Sequence, residues 1–222
     1  MTDIFSRAAA VLLLASGIFL CAAACMTADI AAQVADMPVQ TAAERADELH
    51  AEDRHATAID LLQGFLEETS ATGGLSPVER AAIYWRLSRA RFNKTDLDLY
   101  EGLAESTALD QLKKGRAYAE RALSLYREAG GGTLPEGGEE SGPPGGPPGR
   151  TGPENRTEAE MRKGLARALF WQSAHMGKTG QLKGVLNSLF MADDLRDLLE
   201  RAVLLDPDYS NSYYVLGQLY QQ

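Results

Sequence analysis

The chain has 222 residues, of which 45% are hydrophobic and 24% charged, proportions that are ordinary for a soluble globular protein with a buried core. Its 31 acidic residues outnumber its 22 lysines and arginines, and the formal net charge of -9 argues against nucleic acid as a partner, because phosphate binding needs clustered cations. Three histidines and two cysteines show no metal-binding spacing, so the sequence predicts no metal site and no other cofactor.

The first 24 residues have the composition of a secretory signal peptide. A short segment containing Arg7 precedes an apolar run from Ala8 to Ala24, which only Ser16 and Gly17 interrupt. A run of this length is slightly short for a helix across about 30 Å of hydrocarbon. We therefore interpret residues 1–24 as a cleaved export signal, and an uncleaved membrane anchor is the alternative.

Cys25 stands where an exported chain would be cleaved. The stretch from Leu20 to Cys25 resembles the lipobox of bacterial lipoproteins, in which small residues precede a cysteine that is acylated and becomes the new N-terminus. Ala22 occupies the position where that pattern favours leucine, and ordinary signal cleavage at the alanines that end at Ala24 is the competing hypothesis. The resemblance implies a lipid anchor on Cys25, a tether over residues 25–41, and a location in the periplasm, with the outer membrane preferred.

Residues 42–222 are predicted to form one helical domain. Between Ala42 and Thr69 the apolar residues recur at helical spacing, and the polar break Glu52-Asp53-Arg54 divides the segment into a helix hairpin. No stretch of the chain alternates convincingly as a strand. The predicted fold class is therefore all-α.

Ser76 begins a pattern that is typical of a helix N-terminus. Pro77 suits the first helical position, and Glu79, three residues after the serine, completes a capping box. A helix is predicted from Pro77 to Asn93. Helical spacing predicts the remaining helices in five segments: a short helix and a longer one within Leu97–Arg127, then Glu158–His175, Leu182–Phe190, Asp193–Leu205 and Asn211–Gln222.

The segment from Gly130 to Thr157 differs abruptly in composition from its surroundings. It holds six of the nine prolines, and Leu134 is its one large apolar side chain. Burial would not offset the entropy lost on ordering such a segment. We expect a flexible, disordered loop inserted between helices, and a proline-motif ligand for another protein is the functional alternative.

Three predicted helices share a seven-residue pattern in which two aromatic residues precede a small one. The three heptads are Tyr84–Ala90, Phe170–Met176 and Tyr213–Leu219. A further stretch, from Leu199 through Asp206-Pro207 to Tyr220, resembles the junction between consecutive tetratricopeptide repeats. In that junction small residues let helices pack closely, and the proline ends one hairpin before the next begins. The resemblance implies an irregular solenoid of helix hairpins.

Residues 42–222 outside the Gly/Pro-rich segment also resemble the T component associated with tripartite ATP-independent periplasmic (TRAP) transporters. The segments that carry this similarity are 168–177, 182–190 and Leu198–Pro207. More loosely, the similarity extends to the regulator of microtubule dynamics family. The resemblance implies a periplasmic lipoprotein that binds the transporter's solute-binding protein, with an apolar ligand passage and no catalytic residues. The Gly/Pro-rich insertion and the chain end at Gln222 depart from the family pattern.

The first helices of stacked hairpins line a concave groove, and residues four apart on one helix share a face. If the three heptads are in register, three aromatic and three polar residues line one groove: Trp85 with Arg89, Trp171 with His175, and Tyr214 with Gln218. Such a lining suits an amphipathic small molecule or an extended peptide, and Arg89 and His175 would pair with a carboxylate. The alternative interpretation places both tryptophans in the core.

Two pairs of polar residues are interpreted without a binding role. His50 and His55 are five residues apart, which is not the spacing that joins two imidazoles on one helix, so both are predicted to be solvated. Asp193-Asp194 is predicted to cap a helix starting near Leu195, because carboxylates favour the positive end of the helix dipole.

These features favour a non-enzymatic periplasmic scaffold that is anchored through Cys25 and binds a solute-binding protein, or an apolar or acidic small ligand. A repeat lipoprotein that assists the assembly of envelope complexes is the second hypothesis. An envelope hydrolase is the third, disfavoured because the sequence places no nucleophile beside a base and no paired carboxylates. An uncapped last repeat with Tyr213, Leu216 and Tyr220 would expose an apolar surface for homo-oligomer formation.

Overall fold

The computed structural model describes residues 37–130 and 156–221. Seven α-helices and no strand lie in these two ranges, which confirms the all-α prediction. The helices are α1 (Val39–Ala51), α2 (His55–Thr72), α3 (Pro77–Tyr100), α4 (Glu105–Gly130), α5 (Arg156–Lys183), α6 (Val185–Leu205) and α7 (Ser210–Leu219). The predicted signal peptide, Cys25 with most of its tether, and residues 131–155 of the predicted loop lie outside the described residues.

The helices stack in the order in which they occur along the chain. Each helix packs against the next, and α1 with α3 and α3 with α5 are in contact as well. The helices α1, α3 and α5 therefore lie side by side, each with its following helix packed against it. Hairpins stacked in sequence order bury a continuous core between neighbours.

Two apolar clusters form the core, and α3 contributes to both. Ile83 and Leu87 join the cluster shared with α1 and α2, whereas Ala81 and Trp85 join the cluster shared with α4, α5 and α6. Fully buried alanines mark the close approaches between helices: Ala42, Ala81, Ala108, Ala119, Ala122, Ala166, Ala168 and Ala202. The spacing of two packed helices depends on the side chains at their contact, so these small residues permit close packing.

The predicted start of α3 is confirmed by its hydrogen bonds. The Glu79 backbone N–H donates to Ser76 Oγ at 3.3 Å, and the Ser76 backbone N–H donates to the Glu79 carboxylate at 2.9 Å. Pro77 occupies the first turn, where a missing N–H costs no helical hydrogen bond. Before this cap, α2 ends at Gly73, whose φ of +67° is left-handed and suits glycine.

Several helix boundaries differ from the prediction. The helix from Pro77 continues past Asn93 to Tyr100, and the short helix predicted after residue 97 is the last turn of α3. The two helices predicted on either side of residues 191–192 are one helix, α6, because neither glycine nor proline separates them. The capping interpretation of Asp193-Asp194 is therefore wrong: both lie inside α6, where Asp193 accepts a hydrogen bond from Arg196 at 2.9 Å.

None of the helices in the described ranges combines the length and the apolar character that crossing a bilayer requires.

Candidate binding groove

A groove of about 720 Å³ lies along the side of the stack formed by α1, α3, α5 and the start of α7. The helix α3 contributes six lining residues, of which five lie along one face: Val78, Ala82, Trp85, Arg89 and Asn93. Their spacing of three or four residues keeps them on one face of a helix with 3.6 residues per turn. Arg86 lines the same groove, one position further around the helix.

The opposite wall comes from α5 and from the connection between α6 and α7. Lys163, Arg167 and Trp171 follow one another at intervals of four residues on α5, and Tyr209 and Asn211 close the groove next to them. The groove therefore has contributions from three hairpins, and no single hairpin contains it.

Asp47 of α1 joins the first hairpin to α3 through two arginines. Arg86 donates from Nε to Asp47 Oδ1 at 3.0 Å and from Nη2 to Oδ2 at 2.9 Å, which is the bidentate geometry of a strong pair. Arg89 donates from Nη2 to Asp47 Oδ1 at 2.6 Å. Burial raises the pKa of Asp47, but the hydrogen bonds and positive charges of the two arginines outweigh burial and lower it overall.

Both arginines also lie over the indole of Trp85. The Arg86 Cζ is 4.2 Å and the Arg89 Cζ 5.3 Å from the ring centroid, within the range of cation–π attraction. Burial lowers the pKa of Arg89, whereas the neighbouring Asp47 carboxylate raises it. The two guanidinium groups are largely enclosed, and the Asp47 carboxylate and the face of Trp85 hold them in position.

A second ion pair anchors the opposite wall. Arg167 donates from Nη1 to Asp206 Oδ2 at 2.7 Å, and Asp206 is only 4% exposed. The Arg167 Cζ also lies 4.7 Å from the centroid of the Tyr209 ring. The ring of Tyr209 packs edge-on against Phe170 at 5.2 Å, so the connection before α7 is fixed to α5.

Trp85 and Trp171 are the two tryptophans of the chain, and both line the groove. Each is only 6% exposed and belongs to the larger apolar cluster. Both rings are therefore core residues that also line the groove wall. The Trp171 indole N–H is enclosed and has no acceptor among the described residues.

His175 does not line the groove. It is fully buried, and its Nε2 lies 3.1 Å from both the backbone carbonyl and the hydroxyl oxygen of Ser88. Because a carbonyl can only accept, Nε2 carries the proton and is not free to act as a base toward the Ser88 hydroxyl. Burial lowers the pKa of His175 to about 4, so the ring is neutral near pH 7 and offers no positive charge to a carboxylate.

Tyr214 and Gln218 are exposed residues of α7 that do not line the groove. Tyr214 is 70% exposed. The heptad pattern predicts Tyr214 in the groove, but Tyr209, which precedes α7, lines it instead. Of the six residues expected to line one surface, Trp85, Arg89 and Trp171 share the groove, whereas His175, Tyr214 and Gln218 lie elsewhere.

The expectation that His50 and His55 are both solvated is wrong. His55 is 7% exposed, and the two ring centroids are 5.4 Å apart across the turn between α1 and α2. The spacing rule for one helix does not apply, because the chain reverses direction between the two residues. Burial lowers the pKa of His50 to about 4, with Arg89 and His55 adding in the same direction, and His50 lines the edge of the groove.

The sequence interpretation missed most of the groove lining, including the charged residues Asp47, Arg86 and Arg167. Arg167 lies four residues before Trp171 and Arg86 three residues before Arg89, so extending the helical spacing would have found both. Asp47 gives no local signal, since its partner Arg86 is 39 positions further along the chain.

No group of three or more histidine, cysteine, aspartate or glutamate side chains suited to hold a metal ion occurs among residues 37–130 and 156–221. Comparison with protein-family models, with curated proteins and with solved structures finds no match for this chain.

Proposed function

We propose that this chain is a non-enzymatic binding scaffold whose groove receives an extended or amphipathic ligand. The proposal rests on one observation: the residues that line the groove come from three hairpins. The groove volume of about 720 Å³ lies within the range of pockets that enclose small molecules. Such a groove exists only while the hairpins are stacked, so binding requires the stacked arrangement.

The lining combines apolar and polar groups in the way that binding surfaces do. Trp85, Trp171, Tyr126 and Tyr209 supply aromatic area, and arginine, lysine and asparagine side chains supply donors beside it. Aromatic rings bury a large area with few rotatable bonds, whereas a few polar groups orient the ligand. This mixture suits an amphipathic molecule or an extended peptide better than a flat protein surface.

The arrangement of the described residues does not favour catalysis. Ser88 and His175 are the one serine–histidine contact found in the described part of the chain, and both are fully buried. Neither can reach a substrate without opening the core, and the second ring nitrogen of His175 has no hydrogen-bond partner among residues 37–130 and 156–221. We therefore propose binding without catalysis.

We further propose that the ligand is presented by, or is part of, the solute-binding protein of a TRAP-type transporter in the periplasm. The basis is the resemblance of residues 42–222 to the T component of such systems, together with the predicted export signal and the lipobox-like stretch that ends at Cys25. A repeat scaffold that assists envelope assembly is the second candidate, since it would use the same groove for a different protein.

Site-specific photocrosslinking in intact cells tests the partner. A benzophenone amino acid replaces Asn211, an exposed groove residue, and in the matched control it replaces Asn187, an exposed residue of α6 outside the groove. We expect the probe at 211 to capture a periplasmic solute-binding protein, identified by mass spectrometry, and the probe at 187 to capture none. Equal capture at both positions, or capture at neither, would contradict the proposal, and assembly factors captured only at 211 would favour the second candidate.

Native mass spectrometry of the full-length protein, purified from membranes in mild detergent, tests the anchor separately. We expect the mature chain to begin at Cys25 and to carry the mass of attached acyl chains. The Cys25→Ser variant should appear in the soluble fraction, because several acyl chains together give essentially permanent membrane attachment. A mature chain without added lipid mass would remove the anchor from the proposed function.

A further inference from the structure

We propose that the inner part of this groove is a carboxylate-binding site, formed by Arg86 and Arg89 around Asp47 and extended by Lys163 at the rim. The inference rests on the proposed groove function and specifies the chemistry of its ligand. That ligand carries one carboxylate on an apolar or aromatic body.

The first argument is the local charge. Four cationic residues line the groove, Arg86, Arg89, Lys163 and Arg167, against two carboxylates, Asp47 and Glu160. Asp206 pairs with Arg167 from outside the lining, which leaves four positive against three negative charges. A chain with a formal net charge of -9 thus keeps a surplus positive charge on this one concave surface. A positive cleft of this kind attracts an anion.

The second argument is the state of the Arg86–Asp47–Arg89 cluster. One carboxylate serves two guanidinium groups whose side chains are only 16% and 12% exposed. A partly buried cation without its own counter-ion is unfavourable, because the surrounding protein solvates charge poorly. A second carboxylate on the groove side would complete the pairing.

The third argument is that the Arg89 guanidinium has a hydrogen-bond donor with no partner among the described residues. Nη2 donates to Asp47 and, at 3.4 Å, to the Ala46 carbonyl. Nη1 makes no hydrogen bond to any described residue and is not among the enclosed atoms, so it remains accessible on a residue that lines the groove. Lys163 is exposed at the rim and forms no ion pair within the described ranges. Both groups can donate to an arriving anion without breaking an existing bond.

The aromatic rings around the cationic groups indicate the chemical character of the rest of the ligand. Trp85, Tyr126, Trp171 and Tyr209 border the cationic groups, and the parts of their rings that reach the groove offer apolar contacts. The surplus of a single charge matches a carboxylate better than a dianionic phosphate. We therefore assign the site to a monocarboxylate whose body packs against aromatic rings.

The two tryptophans allow the site to be observed directly. Because both line the groove, the two indole N–H signals of a ¹H–¹⁵N spectrum should respond to a ligand that binds there. The probes are 2-naphthoate and 2-naphthamide, which share an aromatic body and differ in the carboxylate. We expect naphthoate to shift the indole signals saturably, with a dissociation constant about tenfold below that of naphthamide.

Three charge-changing variants test which residues contribute to carboxylate binding. Lys163→Glu should weaken naphthoate binding by about threefold to tenfold, whereas Lys113→Glu, a matched reversal on an exposed part of α4 outside the groove, should not. Asp47→Asn removes the competing carboxylate and should tighten naphthoate binding by about threefold. A gain in affinity is informative because a misfolded variant would not produce one.

A second pair of probes identifies the source of the carboxylate. An acetylated pentapeptide with a free C-terminus is compared with the same peptide as its amide. Discrimination between the peptides assigns the site to a chain terminus, and discrimination only between the naphthalene compounds assigns it to a free acid.

Equal binding of the acid and the amide in both pairs would overturn the carboxylate site while leaving the groove as a binding surface. Absence of any indole shift up to millimolar probe would also overturn it. Neither result would affect the photocrosslinking test at residue 211, so failure of the ligand chemistry is distinguishable from failure of the proposed function.

Discussion

The imidazole ring of His175 on α5 packs directly over the Cα of Gly115 on α4, so closely that a β-carbon at position 115 would overlap the ring. The same ring hydrogen bonds to the backbone carbonyl of Ser88 on α3 and meets Phe92 edge-on at 5.3 Å. One side chain therefore joins three helices at the centre of the stack. This contact explains why a residue expected in the groove is found in the core.

Gly115→Ala should lower the free energy of unfolding by about 1 to 3 kcal/mol, because the methyl group overpacks the interface with His175. The control is Gly64→Ala in α2, where no heavy atom beyond the adjacent residues and the backbone of α2 lies within 4 Å of the added methyl group. That change should raise stability by about 0.5 to 1 kcal/mol, since alanine favours the helix. Urea unfolding of both variants checks the prediction, and a gain in stability for Gly115→Ala would show that the contact is not tight.

Stability should fall as the pH is lowered from about 6.5 to about 4. Burial lowers the pKa of His175 from its ordinary 6.5 to about 4, so the unfolded chain binds more protons than the folded one between these values. The folded state is thus favoured above pH 6.5, and a shift of this size corresponds to about 3 kcal/mol when fully developed. Protonation of Asp47, whose pKa lies below 3.8, falls outside this window.

Urea unfolding of wild type and His175→Gln at about pH 7 and about pH 4.5 measures the histidine contribution. The variant should be less stable at pH 7 but should lose less stability on acidification. His50→Gln should change the pH dependence by a similar amount, because burial lowers the pKa of His50 to about 4 as well. An unchanged pH dependence in His175→Gln would contradict a buried, neutral imidazole.

Trp85→Ala should destabilise the fold by about 3 to 5 kcal/mol, because the ring is 94% buried within the larger core cluster. Trp171→Ala should behave similarly. Replacing both tryptophans should therefore reduce the helical signal as well as abolish binding in the groove. Thermal unfolding followed by far-UV circular dichroism checks this, and a double variant that keeps the wild-type melting temperature would show that the rings carry little packing energy.

Ser76→Ala should cost about 1 kcal/mol, because the Glu79 backbone N–H loses the side-chain acceptor of its capping box. Ser70→Ala is the matched change. The Ser70 hydroxyl only donates to the Leu66 carbonyl within α2, and alanine should be neutral or slightly stabilising there. Equal effects of the two changes in urea unfolding would show that the cap contributes nothing specific.

The register of α5 shows how far helical spacing can be extrapolated. Lys163, Arg167 and Trp171 share the groove at intervals of four, but each step of four residues advances about 40° around a helix with 3.6 residues per turn. The next step therefore carries His175 off the groove face and onto α3 and α4. On α3 one interval of three, from Ala82 to Trp85, turns the face back by about 60°, so Arg89 and Asn93 remain in the groove wall.

The sequence by itself determined the features that depend on near neighbours: the all-α class, the hairpin turn at Glu52-Asp53-Arg54, the cap at Ser76, and the positions of Trp85, Arg89 and Trp171 on the faces that line the groove. These depend on hydrogen bonds and helical phase within a few residues. The tertiary structure decided the rest. Only stacking brings Asp47 to Arg86 across 39 positions, joins His50 to His55 across a turn, and gives Tyr209 the place expected for Tyr214. Such pairings depend on how hairpins pack on one another, which no local pattern encodes.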